Sequence, residues 1–160
     1  IVMPMTWDDW PEIARNIFQL MRSEAGEEIV LEKNIFVERI LFNDSEKGLS
    51  DEVKKEYIRP FKNAGEDRRP TLTWPRQIPI DGSPEAVIDE VTKNGEFHKN
   101  SDIPKLFINA DPGTILIGKQ REIVRSWANL KEVTVKGNHF VQEDSPHEIG
   151  EAIKVFIETI

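Results

Sequence analysis

The first eighty residues set their apolar side chains at helical spacing. After Thr6, the stretch Trp7-Asp8-Asp9-Trp10-Pro11 opens a helix, with Thr6 as cap and Asp8, Asp9 and Glu12 at its positive end. Apolar residues then fall at Trp10, Ile13, Ala14, Ile17, Phe18 and Met21, the i, i+3, i+4, i+7 stripe of a helix packed on one face. Short helices are predicted over Ala25 to Leu31 and Ile35 to Leu41, then a polar loop from Asn43 to Gly48. Ser50 caps a fourth helix, Asp51 to about Arg59, which Pro60 stops. A further short helix is predicted from Asp67 to Trp74, bracketed by Pro70 and Pro75.

After Ile80 the pattern changes. Ser83-Pro84-Glu85 sets a cap and an N1 proline at the start of a helix that runs to about Lys93 or Asn100. The apolar run Lys105 to Ala110, closed by Asp111-Pro112-Gly113, reads as a buried strand ending in a turn. Gly118 to Ala128 is helical, Lys131 to Val135 alternates as a second strand, and Gly137-Asn138-His139 is a loop. Ser145-Pro146-His147-Glu148 forms a capping box for the final helix, whose stripe is Ile149, Ala152, Ile153, Phe156, Ile157 and Ile160. The order helix, strand, helix, strand, helix predicts an α/β fold with a parallel pair of strands. Parallel sheets are buried on both faces, and two strands do not close such a core. The opening Ile1-Val2-Met3-Pro4-Met5 has neither a basic region nor an initiator Met, and reads as the interior of a longer chain. An N-terminal portion is therefore expected to be missing.

Composition narrows the chemistry. Lys plus Arg is 21 against 29 Asp plus Glu, a net charge of −8, which excludes nucleic-acid or anionic-membrane binding driven by net charge. There is no Cys, hence no disulfide, thiolate catalysis or Cys-ligated metal. No apolar run approaches the roughly 18 residues of a membrane span.

His139 is the leading candidate for chemistry, because it follows a strand, and ligands of open α/β sheets bind outside the carboxyl ends of the strands. An imidazole there suits general-base work; the alternative is a loop histidine bonded to backbone. Asp111, also at a strand end, could orient that histidine as the third member of a triad, or simply serve the Asp-Pro-Gly turn. His98 and His147 read as surface residues, and the three His are not spaced as a metal site. There is no Gly-x-Ser-x-Gly elbow, phosphate loop or dinucleotide glycine pattern, so a base stands here without a nucleophile beside it. Trp7, Trp10, Phe18, Phe36 and Trp74 are either plain core or the wall of an apolar cavity.

The segment Gly137-Asn138-His139-Phe140-Val141-Gln142-Glu143-Asp144-Ser145-Pro146 resembles the haloalkane dehalogenases around their catalytic His. Arg68 to Ile80 resembles the end of that family's cap, Ile103 to Gly113 its strand before the active-site loop, and Trp7 to Pro11 with Asn34 to Glu38 its first cap helices. The resemblance covers essentially the whole chain and is nearest the lindane-pathway type. It implies an α/β-hydrolase fold with a helical cap over residues 1–80 and the last βαβα part of the core over 81–160.

The activity it implies is hydrolytic dehalogenation of haloalkanes, in which an Asp displaces halide to form an ester and a His-activated water hydrolyses that ester. His139 would be the base. The nucleophilic Asp and the halide-binding Asn and Trp would belong to the missing N-terminal half, with the acid, a Glu, about two residues before Ile1; Asp111 stays a turn residue. The wall would comprise Trp10, Ile13, Ala14, Phe18, Phe36, Ile40, Trp74, Pro75, Ile78, Thr114 and Ile115, with Phe140 beside the base. Two departures from the family stand out: Leu41 to Gly48 is usually more apolar and proline-containing and borders the tunnel mouth, and Asn138 stands where relatives often have a small or apolar residue.

The expected partners are a small halogenated alkane, the product halide and the chain's own N-terminal half, with no cofactor, metal, nucleic acid or membrane. A cytoplasmic, monomeric detoxification enzyme is expected. The rival on the same fold is a coelenterazine luciferase-like monooxygenase, which has aromatic residues directly after the Gly that corresponds to Gly113, where this chain has Thr114 and Ile115. A catalytically dead binding domain is the reading if 160 residues are the whole protein.

Overall fold

The computed structural model describes residues 1–160. The helical part begins and ends at one place. The Met5 amide donates to the Pro79 carbonyl at 3.0 Å and the Asp81 amide to the Met5 carbonyl at 2.9 Å, so the segment between leaves and returns side by side.

Helix α1 spans Glu12–Arg22, shorter at its start than the Thr6 cap implied. Thr6 is itself held: its amide and hydroxyl both donate to Asp9 at 3.0 Å, folding Thr6 to Asp9 into a turn. Trp10 precedes a proline and is disfavoured from helical geometry, so Pro11 becomes the N-cap, with no side-chain hydrogen bond. Two wide π-helical turns follow, Glu27–Glu32 and Phe36–Leu41, where ordinary short helices were expected. Helix α2, Asp51–Ile58, has the Ser50 cap in place, its hydroxyl accepting from the Val53 amide at 3.3 Å. Helix α3 spans Arg69–Arg76; Pro75 lies inside its last turn instead of ending it.

Helix α4 covers Glu85–Asn100, with Pro84 rather than Ser83 at the cap position. Strand β1 (Lys105–Pro112) pairs in parallel with β2 (Leu130–Gly137), Lys105 opposite Leu130 and Pro112 opposite Gly137. Helix α5 (Gly118–Arg125) makes the crossover, which puts both strands' carboxyl ends on one edge. An unforeseen short helix α6, Val141–Asp144, precedes α7, Pro146–Ile157. The capping box of α7 does not form, because the Ser145 hydroxyl donates instead to the Lys136 carbonyl at 2.6 Å, tying the helix start to β2.

The largest apolar cluster lies in the helical part and joins the chain start to α1, the first π-turn and α3 through Met5, Trp10, Met21, Val30, Leu72 and Ile78. Two arginines, Arg68 buried and Arg22 half-buried, close helix ends there. Arg68 donates to the carbonyls of Leu31 (2.9 Å), Glu32 (2.7 Å), Phe61 (2.8 Å) and Lys62 (3.2 Å). Arg22 does the same for Pro75 (2.9 Å), Arg76 (3.3 Å), Ile78 (2.8 Å) and Ser83 (3.2 Å). Carbonyls at helix C-termini lack intrahelical partners and carry partial negative charge, which a guanidinium satisfies. By contrast, α4 and α7 bury no residue. No helix is long and apolar enough to cross a membrane.

Candidate active site

The turn after β1 requires glycine: Gly113 has φ +72°, and a Cβ there would lie 2.9 Å from the Ala110 carbonyl oxygen. It sends Thr114 and Ile115 over the strand end. After β2, Gly137 has φ +153°, and a Cβ would meet the Asp144 Cβ at 2.8 Å. That close approach lets Asp144 cap the loop carrying His139, its Oδ2 accepting the Asn138 amide at 3.0 Å. Its Oδ1 accepts the Ser45 hydroxyl at 2.7 Å and the Lys47 amide at 3.2 Å, so one carboxylate joins the cap loop to the histidine loop. Burial opposes that charge, yet the bonds from Asn138, Ser45, Glu46 and Lys47 together hold Asp144 below the ordinary carboxylate range.

His139 opens on a cavity of about 540 Å³ between the helical part and these strand ends. Its floor is a chain of aromatic contacts: Trp10 to Phe18 at 4.8 Å, Phe18 to Trp74 at 6.4 Å and Trp74 to Phe36 at 5.8 Å, the last two edge to face. Ile13, Ala14, Ile17 and Ile40 add aliphatic wall, and Thr114, Ile115 and Phe140 close the strand-end side. Phe140 stands edge-on to the His139 ring at 5.1 Å. Ile13 is 87% exposed and Trp74 46%, so much of this apolar lining faces open space.

Ten of the twelve sequence-derived wall and neighbour residues line this cavity together with His139. Pro75 and Ile78 do not. Both are buried beneath it, Ile78 at 2% exposure within the apolar cluster, because α3 turns that edge inward. Asp111 pairs with Lys136 within the sheet, is exposed and is not on the lining. His147 is exposed, whereas His98, expected at a solvent-facing position, is half-buried and stacks on Trp127 at 4.6 Å.

Several lining residues went unread in the sequence: Ile17, Arg39, Asn43, Asp44, Pro70 and Thr71. Ile17 could have been found by continuing the stripe of Ile13 and Ala14. Asn43 and Asp44 fall in the stretch that departs from the family pattern, and Asp44 is the one carboxylate on the lining. Its Oδ1 accepts the Thr114 hydroxyl at 2.8 Å, and it shares the lining with His139. Burial pushes the Asp44 carboxyl up, against that bond and the His139 charge. His139 is reached by solvent through the cavity yet surrounded by protein; that burial lowers its pKa, the Asp44 charge opposes the fall, and the Ile1 amino group adds to it.

No family model matches the chain. It is 52% identical over 162 residues to a haloalkane dehalogenase of Mycolicibacterium smegmatis, a match taking in 100% of this chain and 52% of that one. It is 43% identical over 157 residues, 97% of this chain and 50% of the other, to coelenterazine h 2-monooxygenase of Renilla reniformis. The crystal structure of a haloalkane dehalogenase from Bradyrhizobium elkani superposes with a TM-score of 0.92 at 32% identity, covering 99% of this chain and 56% of that one. The chain thus spans about half the length of the relatives it matches.

Proposed function

Similarity to the haloalkane dehalogenases, proteins of the α/β-hydrolase fold, runs along the whole of this chain, and from that premise we propose that it forms the cap and the last part of the core of an enzyme hydrolysing carbon–halogen bonds in small haloalkanes. The observation that carries this reading is His139, on the loop after β2, opening on an apolar cavity of about 540 Å³. In support of a cap over residues 1–80, the helical segment leaves and returns beside itself at Met5 and Ile80.

The nucleophilic Asp and the halide-binding Asn and Trp are assigned to the part of the relatives that this chain does not span. The Asp carboxylate attacks the halogen-bearing carbon; a C–O bond forms, the carbon–halogen bond breaks, and the halogen leaves with the bonding electron pair as halide, stabilised by N–H donors. His139 then takes a proton from water, and the oxygen attacks the ester carbonyl. The bond between the Asp carbonyl carbon and the alkoxide oxygen breaks, the imidazolium protonates that departing oxygen to give the alcohol, and the Asp carboxyl loses its remaining proton to water. The Glu that orients His139 is assigned just before Ile1. Supporting this, the Ile1 amino group lies near enough for its charge to act on the imidazole. The wall residues give an apolar substrate shape complementarity rather than hydrogen bonds.

A monooxygenase reading is disfavoured by Thr114 and Ile115, which stand after Gly113 and line the cavity in place of aromatic rings. The test is His139→Phe in the complete protein. Only the second step needs the base, so haloalkane should still alkylate the enzyme and the ester should accumulate, seen as an adduct mass. Steady turnover at the parental rate would overturn the assignment.

A further inference from the structure

We propose that Asp44, in the cap loop, is a positioning residue for His139: its carboxylate, held by the Thr114 hydroxyl on the cavity lining it shares with His139, braces the cap against the strand-end loops and places a negative charge near the imidazole. This rests on the reading of His139 as the water-activating base.

The geometry is a three-loop junction. Asp44 comes from the polar loop after the second π-turn, Thr114 from the loop after β1, and His139 from the loop after β2. Thr114 donates to Asp44 at 2.8 Å across 70 residues of chain, and Asp44, Thr114 and His139 line the same cavity. A second tether lies next to it, where Ser45 and Asn138, the sequence neighbours of Asp44 and His139, both donate to Asp144. With Ser45 fixed at 2.7 Å from Asp144, the preceding carboxylate has little freedom to swing out of the cavity. A carboxylate drawn out of water is costly unless it is bonded, and here the bond comes from Thr114, on the loop after β1 beside the catalytic loop.

The electrostatic part follows from the charges that face the pair. In the complete protein Ile1 carries no free amino charge, and His139 faces Asp44, while Asp44 faces His139 and, at longer range, Asp144. Asp144 is satisfied by its own bonds, and Lys136 is occupied by Glu46 at 2.7 Å. Arg39 also lines the cavity. Of these, Asp44 is the group that favours the imidazolium, working against the burial that favours the neutral ring. Removing its charge while keeping its shape therefore moves the His139 titration to lower pH.

The experiment compares Asp44→Asn and Asp44→Ala with the parent, in the complete protein. His139 is titrated by NMR of its ring carbon proton, and the pH profile of ester hydrolysis is measured separately from alkylation. Asp44→Asn keeps an acceptor for Thr114 but removes the charge, so the His139 titration and the acidic limb of ester hydrolysis should shift together to lower pH. Asp44→Ala loses the tether as well, and the hydrolytic step should fall by about ten- to a hundred-fold, well beyond any change in alkylation. A merely structural role would lower both steps and leave the titration midpoint alone. If both variants titrate as the parent does, the proposal is overturned. If the titration shifts but the parent enzyme shows no ester intermediate, the coupling of Asp44 to His139 stands and the dehalogenase reading is what fails.

Discussion

At the scale of single residues, burial and cavity lining divide side chains that look equivalent in the sequence. Ile115 lines the cavity, while Ile78 is packed beneath it. Shortening Ile115 to Ala enlarges an apolar wall, which discriminates by about 1–3 kcal/mol per methylene, so relative rates among short and branched haloalkanes should change by about ten-fold or more without loss of activity. Shortening Ile78 to Ala should instead leave that profile in place and cost about 2–5 kcal/mol of stability, since it opens a void in a packed core. Specificity constants over a series of haloalkanes and denaturant midpoints for both variants check the pair. His147→Ala, at an exposed site, should change neither.

Among the elements, the helical part is organised less by its own helix caps than by two arginines reaching across it. Arg68 satisfies four carbonyls on the first π-turn and on the segment before Gly65, in a site where it is only 8% exposed. Arg68→Met keeps much of the side-chain volume but removes the guanidinium from those carbonyls, leaving Leu31 only the Gly65 amide at 3.1 Å. Unsatisfied buried groups cost about 1–3 kcal/mol each, partly relieved by relaxation, so a loss of about 3 kcal/mol or more is expected in thermal or urea unfolding. A variant with parental stability would show that water replaces the guanidinium at little cost. The first wide π-turn fits the same picture, since its terminal carbonyls of Leu31 and Glu32 accept from Arg68.

The whole molecule has an uneven core. Of 160 residues 27 are buried, and the principal cluster lies in the helical part. The strand part has two strands, and its flanking helices leave Phe97 at 55% exposure, Ile153 at 43% and Ile157 at 61%. A parallel sheet needs both faces covered, and open edges invite association. Expressed by itself, the 160-residue chain should show no cooperative thermal transition by circular dichroism and release no halide from haloalkanes. A sharp transition with turnover would refute this.

The sequence by itself determined the order of the elements, the parallel pair, the position of His139 after the second strand and most of the aromatic wall. Those features rest on local regularities: a stripe at helical spacing from Trp10 to Met21, an apolar run from Lys105, glycines at Gly113 and Gly137 where the backbone demands them. Tertiary structure decided what depends on competition between distant partners. Thr6 lost its cap role to a turn with Asp9, and Ser145 gave its hydroxyl to the Lys136 carbonyl instead of closing a capping box. Pro75 and Ile78 faced inward because α3 packs against α1 through that edge, not because their residue types differ from those on the wall. Asp44, in a polar loop with no periodicity, came to lie between Thr114 and His139 only once three loops far apart in the chain met. A hydrogen-bonding side chain has several local partners of similar energy, and the one it takes is chosen by which neighbour the fold brings within about 3 Å.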